Sequence, residues 1–320
     1  VGEIDMAVRR RAGTGVLLAL AVLVVPSTAQ AVEVTVRDGG VVRVTGTESA
    51  DHISITRDDD GALHVIDAAS TIDIAEFSSV DVRLGAGNDV LDTHLVRGVP
   101  LRLDGGPGAD RLIVGAEALT RIVDTTATDT VDLSLVDGGV EVRWQRSRRR
   151  IAATCIDCAS PSVVVFPARP GTVVLGDDDE DVDLAGWRVR GRTAWKLGDG
   201  RNRFFGSPVR RSVVDGGVDT DQLVSWAAVD VLRGGRGADR IADFGGTGDV
   251  LQGGAGIDVV ASLDGRRDRV DGGTGRDMCP SLTRSASGCD TSRTARSFDL
   301  VTYLPTTAWR TVLRVVGIRR

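Results

Sequence analysis

Between residues 221 and 270 a single aliphatic side chain recurs every nine or ten positions, at Leu223, Leu232, Ile241, Leu251, Val260 and Val270. Each lies two residues after an aspartate: Asp221, Asp230, Asp239, Asp249, Asp258 and Asp268. A triplet with one central aliphatic is a minimal strand that turns one side chain inward. Two such units close one longer repeat, and the next repeat stacks on it with strands about 4.8 Å apart. The pattern therefore predicts an all-β chain, a parallel β-roll or β-helix solenoid of about 18–19 residues per coil.

The loops between these strands carry their own pattern. G-G-x-G-x-D occurs four times, at residues 105–110, 234–239, 253–258 and 272–277. Multiplying the residue frequencies gives about 0.07 occurrences by chance, so the repeat is a real signal. LGAGND (84–89) and GGVDTD (216–221) are one-substitution variants. Loop glycines tolerate positive φ and let the chain reverse within six residues. A reversal of that kind is expected to leave backbone carbonyls outside the ladder and facing a common point. The second column, ending in Asp230, Asp249 and Asp268, is poor in glycine. An asymmetric roll with one metal-rich edge is the expectation.

Composition sharpens the picture. The chain has 40 Gly, 38 Asp against 7 Glu, and only 4% aromatic residues, which favours turns over helices. Its 38 Arg against 1 Lys says little about mechanism. A formal net charge of −6 argues against nucleic acid as a partner and allows a cationic one. Stacked aspartates about 4.8 Å apart repel by about 0.9 kcal/mol in water and about 3.5 kcal/mol at an effective dielectric near 20. A hard divalent cation taking carboxylate and carbonyl oxygens would remove that repulsion, and calcium accepts such irregular cages where Mg²⁺ demands a tight octahedron.

GGAGIDVVA (253–261), GGRGADRIA (234–242) and GGPGADRLI (105–113) resemble the nonapeptide G-G-x-G-x-D-x-aliphatic-x of the repeats-in-toxin, or haemolysin-type, calcium-binding family. The resemblance covers residues 197–279 well and 84–132 in part. It implies a right-handed parallel β-roll with several Ca²⁺ ions between the loops of successive coils. The implied ligand positions are Gly85, Gly87 and Asp89; Gly106, Gly108 and Asp110; Gly217, Asp219 and Asp221; Gly235, Gly237 and Asp239; Asp249; Gly254, Gly256 and Asp258; and Gly273, Gly275 and Asp277. Aspartates would supply side chains and glycines would supply carbonyls. Family members exported by the one-step route carry an uncleaved C-terminal signal, whereas here the export signal is N-terminal.

That signal is read in residues 1–31: Arg9–Arg11, an apolar run from Val16 to Val25, and Ala29-Gln30-Ala31 as a cleavage site, with Val32 as the mature start. The apolar run is about half the length of a membrane span, so the expected product is secreted, extracellular and without a span. In an oxidising compartment, the C-x-x-C of Cys155 and Cys158 and the pair Cys279 and Cys289 are expected to form two local disulfides. A zinc site would want four convergent ligands, and none of the three His lies near a Cys in sequence. The organisation expected is an N-terminal β-hairpin region with degenerate repeats (32–83), a first calcium-binding block (84–135), a divergent segment (136–196), the main block (197–279), and a disulfide loop with a capping tail (280–320). In that tail Trp309, Val312, Leu313 and Val316 fit one helix face.

These features define a secreted, non-catalytic calcium-binding repeat protein whose folding depends on extracellular Ca²⁺. Two alternatives stay open. One is a calcium-dependent polysaccharide lyase or epimerase on a β-helix; against it, only His52, His64 and His94 exist and no nucleophile-elbow or zinc-protease motif occurs. The other is a calcium-stiffened adhesin or matrix component with a cell-surface or polysaccharide partner.

Overall fold

Short β-branched runs flanked by glycine and aspartate form strands here, because they are too short and too often broken by turn residues to sustain a helical stripe. The structure is a computed structural model that describes residues 31–290, apart from 116–118, 146, 149, 157, 159–162, 168, 189, 227–228, 264–266 and 281–285. The expected export signal (1–31) therefore falls almost wholly outside the described residues, and the helical tail (309–316) entirely so. Among the described residues there are 26 strands and no helix, in two sheets of 13 strands each.

The first sheet stacks Val41–Thr45, Ser79–Arg83, Leu101–Asp104, Thr120–Ile122, Val163–Pro167, Asp181–Asp183, Arg203–Phe205, Gln222–Ser225, Arg240–Asp243 and Val259–Ser262. The second stacks His52–Arg57, Val90–Asp92, Arg111–Ile113, Thr130–Asp132, Thr172–Val174, Arg192–Lys196, Arg211–Val218, Val231–Gly237, Val250–Gly256 and Arg269–Gly275. The chain alternates between the sheets, so each successive pair of strands is one coil of a β-solenoid. Coil-to-coil pairing is parallel and in register, as in Leu232 opposite Leu251 opposite Val270. The solenoid expected from the nine-residue rhythm is the fold observed.

Its core is one file of side chains per sheet. In the second sheet the file runs Ile53, Leu91, Leu112, Val131, Val173, Trp195, Val214, Leu232, Leu251 and Val270, each at most 1% exposed. Leu223, Ile241 and Val260 continue the matching file of the first sheet. All six aliphatics of the sequence rhythm thus point inward.

Two departures from regular coiling matter. At the N-terminal end Glu33–Arg37 folds back antiparallel on Val41–Thr45, and Leu63–Ile66 with Thr71–Ile74 extends the second sheet from His52–Arg57. These hairpins, which the sequence predicts, cover the open end that every solenoid must protect. In the middle, Val140–Gln145, Arg150–Cys155 and Val163–Pro167 form an antiparallel meander. It adds two strands to the first sheet between coils that are adjacent in the second. The first sheet is longer there by about 10 Å at normal strand spacing. Bulky rings occupy this region: Phe166, Trp187, Trp195 and Phe204 are all fully buried, and Trp144 stacks on Trp187 with centroids 5.8 Å apart.

Both disulfides are present. Cys155 joins Cys158 beside the meander, and Cys279 joins Cys289 after the last glycine loop, with Cα separations of 5.7 and 5.8 Å. They point to an oxidising setting. No helix among the described residues is long and apolar enough to cross a membrane.

Trp195→Ala should lower stability by about 3–5 kcal/mol, because it empties the widest part of the core. Ile257→Ala, at a side chain 65% exposed, should change it by less than about 0.5 kcal/mol. Denaturant unfolding of the two variants checks the contrast.

Candidate metal-binding edges

The solenoid has two edges, where the chain crosses from the first sheet to the second and where it returns. Asp51, Asp89, Asp110 and Asp129 lie on the first edge, and Asp230, Asp249 and Asp268 follow on the same edge past the meander. Glu180, Asn202, Asp221, Asp239, Asp258 and Asp277 lie on the second. The glycine-rich loops consequently occupy opposite edges in the two halves: Gly85–Asp89 and Gly106–Asp110 on the first, and Gly217–Asp221, Gly235–Asp239, Gly254–Asp258 and Gly273–Asp277 on the second. Within each half the glycine-rich loops keep to one edge, but that edge is not the same in the two halves. The change of edge falls across the divergent middle of the chain, where local spacing carries no motif to follow.

Along each edge the acids form a hydrogen-bonded ladder. Asp221, Asp239 and Asp258 donate their N–H to the Oδ1 of Asp239, Asp258 and Asp277 in the next coil, at 2.8, 2.9 and 2.9 Å. Asn202 donates to Asp221 Oδ1 at 2.8 Å, and Asp277 donates to Asp290 Oδ2 at 3.0 Å. On the first edge Asp51 donates to Asp89, Asp89 to Asp110 and Asp110 to Asp129, at 2.8, 3.0 and 3.1 Å. Asp230 and Asp249 repeat the contact at 2.5 and 3.0 Å. One oxygen of each carboxylate thus locks coil register.

The other oxygen is left over. Oδ2 of Asp89, Asp110, Asp221, Asp239, Asp258 and Asp277 is buried without a hydrogen-bond partner. These side chains are at most 2% exposed. A Cβ built on Gly216 would lie 2.2 Å from Asp221 Oδ2 and 2.5 Å from the Gly234 carbonyl oxygen of the next coil. Gly234 repeats this with Asp239 Oδ2 at 2.2 Å and Gly253 O at 2.6 Å, and Gly253 with Asp258 Oδ2 at 2.5 Å and Gly272 O at 2.3 Å. At Gly216, Gly234 and Gly253 a side chain would therefore strike both the loop's own carboxylate and the next coil's carbonyl, so glycine there leaves these hard oxygens as neighbours. Such a set of hard oxygens fits a divalent cation of the calcium type.

The remaining glycines do something the sequence reading did not anticipate. The parallel ladder continues through them, pairing Gly235 with Gly254 and Gly237 with Gly256. Their backbone groups belong in part to the sheet rather than lying outside it. Gly254, at φ +117°, would place a Cβ 2.1 Å from Gly235 O, and Gly256 a Cβ 1.5 Å from Gly237 O. Stacking at that distance admits no side chain. Asp219 takes the place of the third glycine with φ +73° and an exposed side chain.

Burial without a counter-charge shifts these acids. Desolvation pushes Asp221 up to about 8, helped by the Asp239 charge, and Asp239 up to about 6. It pushes Asp110 up to about 6 and raises Asp89 and Asp258. Glu180, whose Oε2 accepts the Val140 N–H at 2.8 Å and whose Oε1 has no hydrogen-bond partner, is pushed up to about 8 by burial. The sequence reading missed Glu180 as a ladder member, because its loop lacks the motif. It also missed Asp243, at the end of a strand, whose carboxylate oxygens lie within 4.8 Å of those of Asp249 and Asp268. Ser225 Oγ and Ser262 Oγ donate to Asp243 and Asp268 there, at 2.9 and 2.6 Å.

Comparison with family models, characterised proteins and solved structures yields no match to this chain.

Gly254→Ala should destabilise the stacked loops far more than Ile257→Ala, a contrast thermal unfolding reads directly. A second expectation concerns pH. A carboxyl whose folded pKa is raised takes up a proton on folding, so metal-free stability is greatest near pH 4 and falls as pH rises through about 6 to 8. Melting curves in chelator from pH 4 to 9 check the sign; a rise in stability over that range would contradict it.

Proposed function

We propose that this chain is a secreted, non-catalytic calcium-binding repeat protein whose coils close when Ca²⁺ neutralises the carboxylate edges. The observation that carries the reading is the row of buried Oδ2 atoms at Asp221, Asp239, Asp258 and Asp277, none with a hydrogen-bond partner. Across the first three of these loops each Oδ2 faces a carbonyl oxygen of the following coil. Asp89 and Asp110 hold the corresponding place on the opposite edge of the N-terminal half. Bound there, calcium supplies positive charge to these oxygens and ties adjacent coils together. The chain's own part is to hold register through the Oδ1 ladder and to keep side chains out of the loop centre with glycine.

The resemblance to the repeats-in-toxin family and the two disulfides support export. Calcium at about 10⁻⁴–10⁻³ M outside the cell would then be the trigger for folding. A chain extended before export and compact after it follows from this. The rigid stacked rod is also what a cell-surface or polysaccharide partner would meet.

Titrating Ca²⁺ into the chelated chain should increase the β signal in circular dichroism, with reversal by EDTA, while Mg²⁺ at the same concentration should do much less. A chain equally structured in excess EDTA at neutral pH would contradict the reading.

A further inference from the structure

The degenerate loops differ from the glycine loops in what reaches the acid. Asp89, Asp110, Asp221, Asp239, Asp258 and Asp277, whose Oδ2 atoms have no hydrogen-bond partner, all stand in glycine loops. At the coils bordering those loops, the chain itself fills the place. Asp51 Oδ2 accepts the Thr47 N–H at 2.6 Å, and its Oδ1 accepts the Thr47 hydroxyl at 3.1 Å. Asp129 Oδ2 accepts the Thr126 N–H, and its Oδ1 accepts the Thr126 hydroxyl at 2.9 Å. Thr47 holds the place that Gly85 and Gly106 hold in LGAGND and GGPGAD, and Thr126 lies one position further on, where those loops carry Ala86 and Pro107.

Asn202 is the clearest case, because it is isosteric with aspartate. Its Oδ1 accepts the Glu180 N–H at 3.0 Å, so it keeps the register contact of the ladder. Its Nδ2 lies 3.2–3.3 Å from four carbonyl oxygens, those of Gly198, Asp199 and Gly200 in its own loop and of Gly216 in the next coil. Gly216 holds the place in its loop that Gly234, Gly253 and Gly272 hold in theirs, and their carbonyls stand beside the Oδ2 atoms of Asp221, Asp239 and Asp258. An amide N–H₂ satisfies such a cage, whereas a carboxylate oxygen meets only acceptors. On the first edge, between Asp129 and Asp230, the chain places a full cation. Arg210, 2% exposed, donates to Thr193 Oγ1 at 2.7 Å and to the carbonyls of Arg192 and Pro170 at 2.8 and 3.3 Å, with its guanidinium 4.4 Å above the Trp187 ring.

We infer that Thr47, Thr126 and Asn202 stand in for the metal ion, so that the coils carrying them hold their bends without calcium and bracket two calcium-dependent runs. One run is Asp89 and Asp110, between Asp51 and Asp129. The other is Asp221 to Asp277, between Asn202 and the Cys279–Cys289 disulfide with Asp290. The middle of the chain is then a ready template on which the C-terminal coils stack when calcium arrives. This inference rests on the calcium reading of the glycine loops.

The test is Asn202→Asp in the full chain, with bound calcium counted and melting followed in EDTA and in excess Ca²⁺. The variant should bind one further ion per chain, melt roughly 5 °C lower in EDTA, and return to the wild-type midpoint in calcium. An unchanged ion count with an unchanged midpoint in EDTA overturns the inference while leaving calcium binding by the wild type intact. Hydrogen exchange of the unmodified chain in EDTA gives an independent reading that no variant can spoil. Residues 172–205 should stay protected while 216–277 exchange fast. Equal loss of protection in both segments overturns the inference. Equal protection in both removes the calcium-coupled folding it rests on, and the inference with it.

Discussion

The constraint on which this fold turns is the stacking of acidic bends at strand spacing. A β-solenoid must repeat its corners every 4.8 Å or so, and whatever side chain closes one corner meets its own copy in the next. Here that side chain is aspartate, and the ladder uses it economically: Oδ1 of one coil receives the N–H of the coil before, as in Asp239 to Asp258. The price is Oδ2, which is buried beside a carbonyl with nothing to donate to it. Register and charge are therefore two faces of the same contact.

Glycine and aspartate are consequently coupled for steric reasons as well as chemical ones. The first glycine of the loop leaves room for Oδ2 to turn back over its own bend, and the second and third let successive backbones stack in contact. A chain that relaxed either requirement would lose the point where carboxylate and carbonyl oxygens meet. Where the chain does relax it, at Thr47, Thr126 and Asn202, a donor arrives with the change. The degenerate loops read as alternatives to the glycine loop that keep the same electrostatic balance by other means.

Much of this was legible in the residues alone. The two-residue step from aspartate to an inward aliphatic gave the strands, the coil length and the core from Leu223 to Val270. The hairpins near Asp38–Gly40 and Asp58–Gly61 also followed from alternation and turn chemistry. What stayed hidden was long-range. The meander of residues 140–167 has no repeat signature, so the change of edge between the two sets of glycine loops could not be read from spacing within either block. Glu180 lacked the motif, and no spacing singled out Asn202, whose amide lies among four carbonyls. Local pattern specifies a coil; only the stack shows which coil sits above it.

The most direct test of the central claim is anomalous diffraction from crystals of the chain grown in calcium. The account predicts calcium beside Asp221, Asp239 and Asp258 on the second edge of the C-terminal half and beside Asp89 and Asp110 on the first edge of the N-terminal half, with none at the Asn202 loop. Well-ordered coils with no cation at either edge would contradict it.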